Sequence, residues 1–405
     1  MRAHAIGYSI SMNACMSIKH ENARRLQMAW AAAAMAGGIV ATADSALALD
    51  HWSAITLAND AAALATGPGE QVGWVHHQND ALNKPARWTA SPASLTLLGP
   101  TPASYGEVHA ADYGQEGGFV VASAVGISKA AAIWSGSADT YVSLRPVGAE
   151  VSMVRGMKYD EQVGESESSA SARHAAIWHG SAESYQSLHP SNHEQSVAYA
   201  TNGSTQVGFV SDAGRSKAVF WHGASDTMTE LAPGRFGSSR ALSIAGDEIV
   251  GYVDGQTNES SSDDDYALLH QPIGHAALWH GTPESFVNLT PTWAGDARAL
   301  ATIGGIQVGV AQVGGRAHGV IWFGTAASAM DLQQFLPSWQ YSTSVATGVI
   351  LDGDRLEITG QASGNYGQDA ILWTARIPEP DSSSLLSATL PLILGRRRRR
   401  RQCAV

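Results

Sequence analysis

Fifteen histidines, 36 acidic residues and two cysteines are the groups in this 405-residue chain that could do chemistry. Six histidines stand in repeated places. His174, His275 and His318 each lie four residues before a tryptophan, and His179, His222 and His280 each follow one. Imidazoles at fixed spacing could ligate a metal. Yet Lys217 and Asp369 fill the first of these places elsewhere, and equivalent positions in repeated units lie far apart. The reading is structural, with each imidazole bonding a turn carbonyl. Asp263-Asp264-Asp265, among Ser and Asn, lacks the alternating spacing of a calcium loop and reads as a solvated loop. LDGDRLE (351–357) reads no better. No metal and no cofactor is expected.

Glycan hydrolysis needs two carboxylates facing one bond. Asp112, Asp160, Glu161, Asp247 and Asp352 all lie near predicted turns and could share one face. Nothing selects a pair among them, and their expected role is solubility. There is no G-x-S-x-G elbow, and GPGEQVG precedes no helix, so it is not a phosphate loop. Cys15 and Cys403 stand near the two ends, leaving the body without a disulfide, a cysteine metal site or a thiol nucleophile. No catalytic, cofactor-binding or metal-ligating residue is assigned.

The elements that must position these groups repeat. Trp88, Trp134, Trp178, Trp221, Trp279, Trp322 and Trp373 are spaced by 46, 44, 43, 58, 43 and 51 residues. Ten residues after the first six stand Leu98, Leu144, Leu188, Leu231, Leu289 and Leu332. Two residues beyond five of these stand Pro100, Pro146, Pro190, Pro233 and Pro291. Upstream of each tryptophan an apolar segment carries Gly73, Gly118, Gly164, Gly208, Gly251, Gly309 or Gly360. From each of the first five leucines the next such glycine is 20 residues on. Chance does not keep that register.

Each unit reads as four short strands. In residues 192–233 these are 196–200, 205–211, 216–223 and 227–233, joined by Asn-Gly and Gly-bearing turns. The glycine lets a neighbouring backbone or ring approach, and the tryptophan buries area between sheets. Four antiparallel strands repeated at this period predict an all-β, seven-bladed propeller. The seventh unit lacks its fourth strand, and HWSAITL (51–57) reads as an unpaired one. It is predicted to complete the last blade and close the ring, removing an exposed sheet edge. The fifth unit carries a projecting loop, 258–271. The seventh carries about eight extra residues between Leu332 and Gly360.

Three regions follow: 1–48, 49–376 and 377–405. The first reads as a secretory signal peptide. Lys19, Arg24 and Arg25 precede an apolar stretch (28–41), and Ala46 and Ala48 form an A-x-A cleavage site before Leu49. Met12 and Met16 are alternative starts. The last region carries Pro378-Glu379-Pro380, an apolar run from Leu385 to Leu394, and Arg396, Arg397, Arg398, Arg399, Arg400 and Arg401. Such an arginine block stays on the cytoplasmic side of a membrane. This order of parts resembles the PEP-CTERM sorting signal of exported bacterial proteins. The resemblance implies recognition of Pro-Glu-Pro and removal of the tail by an exosortase-like enzyme. The apolar run is about 10–14 residues and contains Pro391, shorter than the ~20 of a spanning helix. The HAAIW and HAALW texts, each followed downstream by a QVG strand, resemble HAF-type extracellular repeats of bacterial proteins. That resemblance implies secretion and a propeller-like β fold, and supplies no catalytic residues.

Residues 49–378 hold 15 Lys and Arg against 32 Asp and Glu, a formal −17. An acidic body argues against nucleic acid as a partner. The expected protein is exported to the cell surface or medium, touching the membrane only through its tail. Its expected partners are the export machinery, the processing enzyme, and a glycan or envelope-protein ligand. It binds or scaffolds without catalysis. The rivals are a propeller glycan hydrolase or lyase with its site at the central channel, and a purely structural matrix component.

Overall fold

Hairpin after hairpin, the chain builds seven four-stranded antiparallel sheets, set as the blades of one β-propeller. A computed structural model describes residues 49–76, 82–100, 105–121, 128–167, 172–232, 236–254 and 274–377. The expected signal with Ala46 and Ala48, the tail from Pro378 through Arg401, Pro233 and the loop 258–271 lie outside these residues.

In the fourth blade the strands are Gln195–Thr201, Gln206–Asp212, Arg215–Trp221 and Thr229–Glu230. The fourth strand corrects the expectation of 227–233, because only two residues pair. The reason lies in a hydroxyl six residues after each of the first six repeat tryptophans. Thr227 Oγ1 accepts the backbone N–H of His222 at 2.8 Å and donates to the carbonyl of Ala224 at 2.6 Å. That folds a 3₁₀ turn, Ser225–Thr227, out of residues that would otherwise extend. Ser94, Thr140, Ser184, Ser285 and Ser328 make the same pair of bonds. The leucine then returns to the third strand, as Leu231 N–H donates to Ala218 O at 2.8 Å. The prolines follow as turn openers: the carbonyls of Pro146, Pro190 and Pro291 each accept from the residue three on.

The ring closes as predicted. Strand Asp50–Asn59 lies against Gly367–Arg376, with Ile55 opposite Leu372, and completes the seventh blade. Its side chains are locked in. Tyr341 donates to Asp369 Oδ2 at 2.6 Å and shares a 3.0 Å bond with Thr56. Burial and the Asp369 bond push Tyr341 up to about 12, so the phenol keeps its proton. Trp52 stacks on Phe335 at 4.7 Å. Phe335 belongs to a 3₁₀ turn, Leu332–Phe335, formed by part of the seventh unit's extra residues. Others lengthen its first strand to Tyr341–Asp352.

The core is a set of layers between blades. All seven repeat tryptophans are fully buried. Trp221, for example, packs with Val163, Ile177 and Leu188 of the preceding blade. Polar staples run through the same boundaries. Backbone N–H groups of Ala131, Ala175, Ala218 and Gly319 donate to Ser152, Ser196, Ser239 and Ser344 of the next blade.

Candidate functional site

Every first strand carries a β-bulge at the same place. The pairing skips one residue in each blade: Leu64, His109, Arg155, Tyr199, Leu242, Leu300 and Thr347. Bulges re-aim side chains, and all seven of these line a central channel of about 810 Å³. The glycine of the second strand permits the bulge. A Cβ on Gly208 would sit 1.9 Å from the carbonyl oxygen of Val197, and the other six glycines meet the first strand at 1.9–2.0 Å. The close backbone approach expected of this glycine is therefore that of the bulged strand itself.

The seven bulge positions share a backbone and differ in chemistry. His109, Arg155 and Tyr199 make a polar arc on three consecutive blades, while Leu64, Leu242 and Leu300 are apolar. Around the arc, at the mouth where second strands end, His109 Nε2 lies 3.1 Å from Glu107 Oε2. Asn83 donates to the other oxygen of Glu107 at 2.6 Å. Arg155 Nη2 lies 2.8 Å from Glu165, and its guanidinium faces the Tyr199 ring at 5.2 Å. Lys129 stands 4.9 Å over Phe119. Sequence reasoning singled out none of these. The signal was present: in six blades the channel residue stands nine positions before the conserved-in-register glycine.

The histidines noted from sequence are scattered, and their bonds correct the expected turn-carbonyl role. His318 Nδ1 pairs with Asp331 at 2.7 Å, and His222 Nδ1 with the Thr205 hydroxyl at 3.2 Å. His280 comes within 4.0 Å of Asp247. His174 stacks on His189 at 3.8 Å. Burial, then the neighbouring His174 and His193, push His189 down to about 4, and burial lowers His174. For His318, His222 and His280 a side chain, and not the turn backbone, stands opposite the ring. Among the described residues no group of three or more His, Cys, Asp or Glu could hold a metal.

Asp112, Asp160, Glu161, Asp247 and Asp352 do share the face that carries the turns between first and second strands. They come from four blades, only Asp160 and Glu161 sharing one. Glu161 is buried and bonded to Thr201 and Gln206. A buried carboxylate pair exists elsewhere, between the first two blades. Glu70 and Glu116 are 1% and 0% exposed, and Arg87 bridges them at 3.0 and 2.9 Å. Burial first, with the Glu70 charge adding, pushes Glu116 up to about 7, against the opposing N–H of Gly136 and Arg87. Neither glutamate lines the channel.

No protein-family model and no curated protein sequence matches the chain. Solved structures do. The crystal structure of a puromycin hydrolase matches with a TM-score of 0.52 at 12% identity, over 77% of this chain and 51% of that one. The chain thus spans about half the length of that protein. YCF48 bound to D1 peptide matches with a TM-score of 0.48 at 11% identity, over 82% of this chain and 99% of that one. At such identity the likeness is one of fold.

Proposed function

We propose that this chain is an exported, surface-sorted propeller that binds an extracellular ligand at the channel mouth and does no chemistry on it. The observation that carries this is the contrast between repeat positions. Structural places keep one residue, Trp, Gly or Leu, around the ring, whereas the seven channel places vary in charge and polarity. Side chains that diversify on an invariant scaffold belong to recognition. The carboxylates oppose hydrolysis. Among the described lining residues only Glu107 and Asp112 are acidic. They sit near opposite ends of one strand, Tyr105–Asp112. Five residues at ~3.4 Å each part them by about 17 Å, beyond the ~5–9.5 Å a glycosidase uses.

The ligand class is an extracellular polysaccharide or an envelope protein, reached after export and sorting of the chain. Strand positions support that route. The first strand begins at Asp50, so cleavage after Ala48 spares the closing strand. The last ends at Arg376, so loss of a tail from Pro378 spares the ring.

One observation favours a second reading, a glycan lyase: His109 held by Glu107 beside Arg155 offers a base near a cation, which elimination uses in place of two acids. Titration of the chain with envelope polysaccharide fragments separates the readings. Saturable binding that falls at least tenfold in His109→Ala or Tyr199→Ala, with the polymer left intact, is expected. Unsaturated sugar ends appearing in the mixture would establish the lyase. Absence of saturable binding to polysaccharides and envelope proteins alike would leave a structural matrix component.

A further inference from the structure

The turns at the other mouth of the channel differ from blade to blade. The blades numbered five, six and seven open this turn with Gly246, Gly304 and Gly353, at φ of 64°, 54° and 64°. Blades two and three put Tyr113 and Tyr159 there, at φ of 48° and 57°. A bulky side chain in the left-handed region is strained. Burial does not offset it, since both tyrosines are 55% exposed. Strain that persists without packing to repay it points to use.

The two rings are held in relation to each other. Lys158 Nζ lies 5.4 Å from the Tyr113 ring and 5.1 Å from the Tyr159 ring. The same ammonium pairs with Asp112 Oδ1 at 2.7 Å, and Asp112 Oδ2 accepts the Tyr159 backbone N–H at 2.8 Å. On the far side, a Cβ on Gly203 would stand 2.9 Å from Tyr159 Cδ2, so bare backbone in the fourth blade makes room for that ring. The result is a ledge across blades two to four. It presents two aromatic surfaces; Lys158 and Asp112 neutralise each other, and exposed Asp160 beside Tyr159 adds a further carboxylate.

We propose that this ledge is a second binding site, separate from the channel mouth, for an uncharged β-1,4-linked sugar chain. Sugars linked in this way are flat. Their axial C–H faces stack on aromatic rings, and their equatorial hydroxyls reach edges such as Lys158 and Asp112. The extra carboxylate of Asp160 repels uronic or sulfated chains and leaves an uncharged one as the fitting occupant. The proposal uses none of the residues of the channel arc, so either site can fail alone.

Cellohexaose is the probe, titrated into the propeller chain by calorimetry. The double variant Tyr113→Asn, Tyr159→Asn removes both rings, and asparagine tolerates a positive φ. The expected result is a melting temperature equal to or above that of the native chain, with affinity reduced at least tenfold. Nitration of tyrosines followed by peptide mass mapping gives a readout without mutation. Cellohexaose should protect Tyr113 and Tyr159 and leave Tyr366, 77% exposed on the opposite face, reactive. The ledge is overturned if the native chain binds no cellohexaose, or if Tyr113 and Tyr159 react equally with and without it. Unchanged affinity in a folded double variant overturns it too, and moves the sugar to the channel mouth.

Discussion

Glu116 stands where four sister blades have glutamine. Gln71, Gln162, Gln206 and Gln307 all face the repeat tryptophan in the same register. Each accepts an N–H from the residue two beyond that tryptophan, as Gly223 donates to Gln206 at 2.7 Å. Glu116 accepts the same bond from Gly136 at 2.9 Å. With its pKa pushed up to about 7, the folded chain holds a proton that the unfolded chain releases from about pH 4.5. Stability from this group is therefore present below about pH 4.5, falls as pH rises to about 7, and is level above. Glu116→Gln removes that loss, and its new Nε2–H can donate to Glu70 as Gln206 does to Glu161 at 2.8 Å. The variant should gain up to about 3 kcal/mol at pH 8, at ~1.4 kcal/mol per pKa unit, and change little at pH 4.5. Urea unfolding at the two pH values measures it, and an equal gain at both would refute the titration argument. This departure from the repeat was visible as a single letter. Its partner Glu70 and bridge Arg87 were not, because they stand 46 and 29 positions from Glu116, in the preceding blade, with no local pattern.

At the scale of strands, most of the plan was legible, since glycine-bearing turns and buried tryptophans are local signals. The fourth strand was overread because the side-chain hydroxyl six residues past the tryptophan competes with the ladder for the backbone, and a strand pattern does not show that competition. The bulge was missed for a related reason. Alternation is disturbed by one residue only, and the glycine that allows it sits on the partner strand. The closing strand was readable by elimination, as one strand unpaired at each end of the repeat. Its contribution can be measured. Deleting residues 49–59 exposes the edge of Gly367–Arg376 and loses the burial of Leu57, worth about 1.5–3 kcal/mol alone. It also breaks the Thr56–Tyr341 bond. The shortened chain should melt at least about 5 °C lower and aggregate through its open edge. Added peptide 49–59 should restore part of the loss. Unchanged melting without the strand would mean that the ring does not depend on this closure.

At the scale of the whole molecule, architecture and address are written in different ways. The ring is encoded redundantly: seven tryptophans, seven glycines and six leucines agree, so that no single position decides the fold. The proposed ligand site is written once, in the arc His109, Arg155 and Tyr199, whose residue types do not recur at the other bulge places, and for that reason only the bulges reveal it. The addresses proposed for the two ends are also written once, and they make a prediction about where the mature chain is cut. The body is acidic, a formal −17 over 49–378, while an excess of positive charge lies beyond its ends. Cleavage after Ala48 would leave one residue, Leu49, ahead of the strand that starts at Asp50. Cleavage a few residues later would cut into that strand and weaken the closure. At the other end, the ring finishes at Arg376, and a cut at 378–381 would separate it from the apolar run and the six arginines without touching a ladder bond. Mass spectrometry of terminal peptides from the cell surface and medium should therefore find a chain starting near Leu49 and ending between Pro378 and Asp381. A full-length chain in the cytoplasm, keeping Met1 and the arginines, would overturn both addresses. A start inside 51–57 would be more informative still: it would contradict the structural logic of the closure, because a mature protein would then have discarded the strand that completes its last blade.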